Sequence, residues 1–150
     1  MATSTTPGYD DLPALLTLLT GDEKHDRSAL STLDVLWVLY DRVLRIDPRE
    51  PDDPDRDRFL LSKGHGPAAY YAVLAALGFV DAASLAGFGT LDSPLGYHPD
   101  RVLVPGVEIS SGSLGHGLPV AVGRALAGAR VFCLVGDGER PHVVVAEVAR

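Results

Sequence analysis

The sequence has little of what several classes of protein depend on. Cysteine occurs once in 150 residues, as Cys133, so the chain forms neither an intrachain disulfide nor a thiolate metal cluster. The 13 lysines and arginines are outnumbered by 20 acidic residues, and the net charge of −7 argues against general binding of nucleic acid or anionic membranes. No apolar run approaches the length needed to cross a bilayer, and the N-terminus lacks the regions of a secretory signal. A soluble protein of the reducing cytoplasm is therefore expected.

The residues that are present suit one globular domain. Apolar residues make up 46% and charged residues 22% of the chain, a composition that permits a sizeable core. Residues 1–9 are small and polar, which predicts a flexible tail. Residues 47–58 combine prolines with charged side chains and predict a solvated surface loop. The sequence contains no evident internal repeat or second-domain boundary.

The apolar pattern alternates between short strands and helices. Residues 131–135 form a near-continuous apolar run, which is typical of a strand buried on both faces, and Cys133 is expected to be a small buried side chain there. Further short strands are predicted at 59–61 and 107–109. Apolar spacing and capping residues predict helices near 10–20, over 31–46, from Pro67 to 77, near 81–88, and one that ends at 127. This order favours a parallel sheet covered by helices, with the functional loops at one edge.

Three turns are rich in glycine, namely 62–66, 110–117 and 136–138. Turns at the carboxyl ends of parallel strands are where such sheets bind ligands. Glycine lets the backbone approach a phosphate group, and Asp137 between two glycines can hold a hard cation. Gly-Asp-Gly is also an ordinary turn sequence, so this tripeptide alone does not identify a site. An anionic ligand on so acidic a chain would need backbone N–H groups, a metal ion or selected cationic side chains.

Four histidines lie in predicted loops or turns, namely His25, His65, His98 and His116. A single loop histidine is usually just exposed, but imidazoles beside glycine-rich turns can donate to phosphate and transfer protons. Zinc binding is a rival interpretation, although the spacings do not match signatures such as His-x-x-x-His. A serine nucleophile is another, since Ser111 and Ser113 lie in a glycine-rich turn, but the turn is not Gly-x-Ser-x-Gly.

Three motifs in order carry a family resemblance. LLSKGHGPAAYYAVLAALG, GYHPDRVLVPGVEISSGSLGHGLPVAVGRALA and LVGDGE resemble the thiamine-diphosphate domain of the transketolase family over roughly residues 12–139. Within that family the chain is most similar to split enzymes, whose N-terminal half is a separate polypeptide. The resemblance implies a truncated three-layer α/β fold with a mostly parallel sheet and helices on both faces.

The resemblance also implies roles for individual residues. His65 would contact the diphosphate of the cofactor near the reacting carbon. His98 matches the histidine of the family's Gly-His-Pro-Glu, which handles substrate hydroxyls. Gly112, Ser113 and Leu114 would lie against the thiamine part of the cofactor.

Asp137 would be a ligand of the Mg²⁺ or Ca²⁺ that bridges the diphosphate, with Gly136 and Gly138 giving backbone access. His25 aligns with the first histidine of the family's His-Pro-Gly-Gly-Ser-Leu-Ser, but here the glycines are missing. His116 stands where the family commonly has glutamine, and it is expected to keep a hydrogen-bonding role.

The similarity stops after Glu139. Family members continue with Glu-Gly and a helix containing Trp-Glu-Ala, then supply an asparagine and a backbone carbonyl that complete the metal site. They also have a second domain whose glutamate activates the cofactor. The isolated chain is therefore expected not to turn over substrate.

Two functions from different classes remain open. The first is a component of a split or incomplete enzyme that transfers a two-carbon ketol unit between sugar phosphates. Its partners would be a C-terminal transketolase-type subunit, further copies of this chain, or both, without nucleic acid or membrane. The second is a non-catalytic relic or binding module that keeps the fold without cofactor turnover.

Overall fold

The structure, a computed structural model, describes residues 7–19, 30–65, 67–136 and 138–139, together with the backbone of 144–148. Its helices are α1 (Leu12–Leu16), α2 (Leu33–Val38), α3 (Ala68–Ala76) and α4 (Gly117–Leu126), with 3-10 segments at Tyr9–Asp11 and Ala82–Gly87. Its strands are β1 (Arg58–Leu61), β2 (Val131–Val135) and β3 (Val144–Val148). None of the described helices has the length and apolarity that a bilayer crossing requires. The tail predicted at 1–9 lies largely outside the described residues.

The strands form one sheet in the order β1-β2-β3. β1 and β2 are parallel, with Leu60 opposite Cys133, as the pattern of two buried strands predicts. β3 pairs antiparallel to β2, with Val144 opposite Val135, in a segment to which the sequence pattern assigned no element. Both parallel strands therefore end at the same edge of the sheet, and the first and third glycine-rich turns start there.

Helices cover both faces of the sheet. On one face, Phe59, Leu61, Phe132 and Leu134 join the large core formed by α1, α2 and α3. On the other face, Leu60 and alternate residues of β2 pack against Ala121 and Ala125 of α4. All five side chains of β2 are buried, and burial raises the pKa of the Cys133 thiol to about 12. The three-layer arrangement and the buried cysteine are confirmed.

The helix predicted over 31–46 is shorter and less regular than expected. α2 ends at Val38, and the chain continues to Val43 in a π-helical turn. The wider turn places Tyr40 in the core, where its hydroxyl lies 2.7 Å from that of Tyr70. A buried hydroxyl needs such a partner, so this tertiary contact accompanies a local winding that apolar spacing alone does not predict.

Two other expectations need correction. Residues 107–109 form no strand among the described elements, because Val107 N–H donates to the Val104 carbonyl in a turn and the Glu108 side chain joins a charged cluster. The loop 47–58 is not wholly solvated. Asp57 is 1% exposed at its side chain and forms ion pairs with Arg45 (2.9 Å) and Arg130 (2.6 Å). Partners so distant in sequence leave no trace in a local charge pattern.

Candidate cofactor-binding site

The three glycine-rich turns meet at the carboxyl edge of β1 and β2. Ser62 follows β1 directly, and its N–H donates to the Leu134 carbonyl, so the first turn is fastened to the end of β2. Gly136 follows β2 directly. The second turn enters α4, whose first residue, Gly117, donates its N–H to the Ser62 hydroxyl at 3.1 Å. A small site is therefore framed by backbone on three sides.

Close backbone contact requires glycine at two of these positions. A methyl group on Gly64 would lie 2.6 Å from the backbone nitrogen of Gly112, and one on Gly117 would lie 2.3 Å from the Ser62 Cβ. Real Cβ atoms do not approach other atoms so closely, and the atoms in the way belong to backbone or to the base of a short side chain. Gly112 also has a φ of +136°, where glycine is favoured.

His65 and His98 lie together beside these turns. Their ring centroids are 5.4 Å apart, and the rings are nearly perpendicular. His98 Nδ1 lies 3.0 Å from the Gly64 carbonyl oxygen, which can only accept, so Nδ1 carries the hydrogen in this contact. In the neutral ring, Nε2 is then an acceptor. Ser111 N–H donates to the Pro99 carbonyl at 3.2 Å and ties the second turn to the segment that carries His98.

A carboxylate joins all three turns. Glu139 accepts a hydrogen bond from the Ser62 hydroxyl, one from Gly115 N–H at 2.7 Å, and one from Gly136 N–H at 2.7 Å. Burial raises the pKa of Glu139, but these three hydrogen bonds, with a smaller contribution from His65, lower it more, so the pKa lies below its usual range. The carboxylate is therefore charged at neutral pH and marks a place where two turns direct N–H groups at an anion.

The predicted site residues differ in where they lie. Gly112 and Gly136 lie in the frame of the site beside His65 and His98, while the remaining predicted residues of these turns are exposed, namely Ser113, Leu114, His116 and Gly138. His116 lies at the start of α4 without a side-chain capping bond. The predictions for His25 and Asp137 fall outside the described residues.

The two rival interpretations find no support in the described residues. Among them, no group of three or more histidine, cysteine, aspartate or glutamate side chains is arranged to hold a metal ion. The Ser111 hydroxyl is buried and has no hydrogen-bond partner among these residues, so it lacks the adjacent base that activates a serine nucleophile. An orphaned hydroxyl between two glycine turns instead suits a site that a polar ligand completes.

Sequence reasoning missed Ser62, Lys63 and Glu139 as site residues. Ser62 and Lys63 lie in the first glycine turn and Glu139 directly follows the third, and these positions were the available signal. Lys63 borders the third turn, because a methyl group on Gly136 would lie 3.3 Å from its Cγ, and its ammonium nitrogen lies 3.5 Å from the His65 carbonyl oxygen. Ser62 and Glu139 are 77 positions apart, so no spacing rule brings them together.

Gly115 N–H and Gly136 N–H already donate to Glu139, so a ligand would meet the lysine, the two histidines and the glycine backbone beside them, which are groups that suit a phosphate-bearing ligand. The turns therefore fit the diphosphate part of the cofactor expected from the resemblance. The described residues do not provide a metal site for it.

Comparisons with known proteins agree with this geometry. The family described as "Transketolase, thiamine diphosphate binding domain" matches residues 18–143. A protein named Ferredoxin fas2 from Rhodococcoides fascians is 59% identical over 87% of this chain and 45% of its own length. One subunit of the apulose-4-phosphate transketolase of Actinobacillus succinogenes is 43% identical over 77% of this chain and 44% of its own length.

Among solved structures, transketolase from Leishmania mexicana superposes with a TM-score of 0.73 at 27% identity, over 92% of this chain and 24% of its own. The chain spans about half the length of these two relatives and a quarter of that solved structure. With a family match over most of its length and a shared fold, the chain belongs to the transketolase family, in its thiamine-diphosphate-binding domain.

Proposed function

We propose that this chain is the thiamine-diphosphate-binding part of a split transketolase-type enzyme, which transfers a two-carbon ketol unit between sugar phosphates. A C-terminal transketolase-type subunit, further copies of this chain, or both would complete the active site. The observation that carries the proposal is that the three glycine turns meet beside His65 and His98, joined to one another by the hydrogen bonds of Glu139. One relative is named as a single subunit of a transketolase, and that name supports the split arrangement.

The chain's own residues would bind and orient, while thiamine diphosphate, when bound, supplies the chemistry that breaks and forms the carbon–carbon bond. His65 would donate to the diphosphate. His98, whose Nδ1 is held by the Gly64 carbonyl, would present Nε2 to substrate hydroxyls. Gly112 would allow the cofactor's close approach, with Ser113, Leu114 and His116 contributing from the exposed side of the second turn.

A divalent cation belongs to the same proposal. Diphosphate carries several negative charges, and the chain has a net charge of −7. Binding would therefore require charge neutralisation by Mg²⁺ or Ca²⁺, for which Asp137 is the proposed ligand. Oxygen atoms from the diphosphate, water and the second subunit would complete the coordination shell.

A titration of the purified chain with thiamine diphosphate and Mg²⁺, followed by calorimetry and Trp37 fluorescence, tests the proposal. Saturable binding is expected, with thiamine itself binding far more weakly because it lacks the diphosphate. His65→Ala should weaken binding by about 1.5–3 kcal/mol, the size of a charge-assisted hydrogen bond. Asp137→Ala should abolish the metal-dependent part of the cofactor binding. Asp55→Ala, which removes an exposed acidic residue of the loop 47–58, should leave the affinity unchanged.

A non-catalytic binding module is the second candidate. It is favoured by one observation, that the described residues contain no ready set of three metal-ligating side chains. The titration is repeated with the chain alone and with the co-expressed second subunit. If neither sample shows saturable binding at millimolar thiamine diphosphate, the enzyme function is excluded and the binding module remains. Unchanged affinity in Asp137→Ala would mean that the metal role belongs to another residue.

A further inference from the structure

A cavity of about 560 Å³ lies at the opposite edge of the sheet from the glycine turns. Its lining includes Arg58, the first residue of β1, and Arg124 and Ala127 at the end of α4. One wall is the irregular segment 101–107. Because parallel strands begin at one edge and end at the other, this cavity is separate from the candidate cofactor site.

Arginine dominates the charge of this cavity. Glu108 is 4% exposed at its side chain, and three guanidinium groups contact its carboxylate: Arg56 at 2.5 Å, Arg58 at 3.0 Å, and Arg124. One carboxylate thus faces three positive charges. A fourth arginine, Arg101, also lines the cavity, and its guanidinium makes no ion pair with a described residue.

The excess positive charge persists after the other lining groups are considered. Asp52 is the second acidic residue of the lining, so four arginines face two carboxylates. The carbonyl end of α4 adds a partial negative charge, which Arg124 in the last helical turn offsets. On a chain with a net charge of −7, a cavity with two surplus positive charges is a local exception.

Hydrogen-bonding capacity remains in this cluster. The side chain of Arg56 is only 9% exposed, and its Nε is buried without an acceptor among the described residues. Arg58, in contrast, donates from Nη2 to the Asp53 and Pro54 carbonyls. Arg124 donates from Nη1 to the Glu108 carboxylate and from Nη2 to the Glu108 carbonyl at 3.4 Å, but each of these nitrogens carries a second hydrogen and the side chain is partly exposed. Arg101 and Arg124 therefore have donors to offer a ligand, and guanidinium suits planar pairing with phosphate or carboxylate oxygens.

Apolar side chains also line the cavity, beside the arginines and Glu108. Val102 is 84% exposed and Leu103 is 57% exposed, and both line the cavity together with Val104 and Pro105. The cavity volume falls within the range of small-molecule sites, which combine an apolar lining with a few polar anchors. Exposed apolar groups beside arginine suit a ligand that has an organic body as well as an anionic group.

We propose that this cavity binds a small organic phosphate, with the phosphate on Arg101 and Arg124 and the organic part against Val102 and Leu103. The inference does not depend on the function proposed for the glycine turns. Inorganic phosphate alone should bind more weakly, because it leaves the apolar wall uncovered.

The test is a titration of the full chain with phenyl phosphate and with inorganic phosphate, in EDTA and without thiamine diphosphate. Calorimetry measures affinity, and the NMR signals of the arginine Nε–H groups report the place of binding. We expect saturable binding of phenyl phosphate and shifts of the Arg101 and Arg124 signals. Arg101→Ala should weaken the binding of phenyl phosphate about tenfold or more, which is the loss expected for one charge-assisted contact. Arg101 is exposed and without a described ion pair, so this variant should fold.

Two control variants make the result specific. Arg42→Ala removes an arginine that is 76% exposed and outside the cavity, and it should leave the affinity unchanged. His65→Ala alters the candidate cofactor site and should also have no effect. The proposal is overturned by absence of saturable binding, by equal loss in Arg42→Ala, or by an affinity that depends on His65, which would place the phosphate among the glycine turns.

Discussion

Replacing Glu108 with glutamine would remove the single negative charge that Arg56, Arg58 and Arg124 share. The carboxylate is almost wholly buried, and the three guanidinium groups around it are 9%, 17% and 29% exposed at their side chains. Removing one partner from a buried ion cluster costs about 3–5 kcal/mol, since the remaining charges lose their compensation. Arg124 can regain water, so we expect the lower end, about 3 kcal/mol.

The loss should be measurable by urea denaturation and by calorimetry. In a chain of this size, about 3 kcal/mol corresponds to a fall in melting temperature of roughly 6–12 °C. The matched control is Asp47→Asn, which makes the same change at a carboxylate paired with Arg49 on the surface. That variant should leave the melting temperature nearly unchanged, because exposed ion pairs contribute little.

The pH dependence gives a second, independent readout. Burial raises the pKa of Glu108, but the hydrogen bond from Arg58 and the charges of Arg56 and Arg124 lower it more, so its pKa in the folded chain is below the ordinary value. Its stabilisation is then present above the unfolded-state pKa and is lost as the pH falls through the folded-state pKa. Glu108→Gln should flatten this acid-side loss of stability. A destabilisation below about 1 kcal/mol, or an unchanged acid slope, would refute the reasoning.

Two further predictions concern close packing. Gly64→Ala places a methyl group 2.6 Å from the Gly112 nitrogen and should lower the melting temperature and separate the first two turns, whereas Gly123→Ala, in open space on α4, should raise stability by about 0.5–1 kcal/mol. Equal effects of the two alanines in thermal unfolding would contradict the packing described for Gly64. Tyr40→Phe and Tyr70→Phe should each cost about 1–3 kcal/mol in urea denaturation, because each leaves a buried hydroxyl unpaired, and the double variant should cost less than their sum. Strict additivity would mean that the two hydroxyls do not interact.

Local patterns in the sequence were sufficient for the framework of the fold. The continuous apolar run 131–135 predicts a strand buried on both faces, and β2 has all five side chains buried. The short strand before the first glycine turn and the long apolar helix after it were predictable for the same reason, since burial on one or two faces imposes a period on the residues. The order of three motifs also carried the family, because each motif is a continuous segment.

Other features depend on residues that are far apart in the chain. Glu139 reaches Ser62 across 77 positions, Arg58 reaches Glu108 across 50, and His98 reaches Gly64 across 34. From the sequence, a carboxylate or an arginine in a polar segment is predicted to be a solvated side chain. Its partner is known only from the tertiary structure. The antiparallel pairing of β3 is of the same kind, since strand direction depends on the neighbour and not on the strand's own residues.

The sequence by itself determined the two parallel strands, the helices on both faces and the three glycine turns, because those follow from apolar periodicity and from the backbone freedom of glycine. Only the tertiary structure decided that the turns meet on one carboxylate and that arginines crowd a second one at the opposite edge. Electrostatic and hydrogen-bonding partners depend on proximity in space, and the packing of strands, helices and turns creates that proximity.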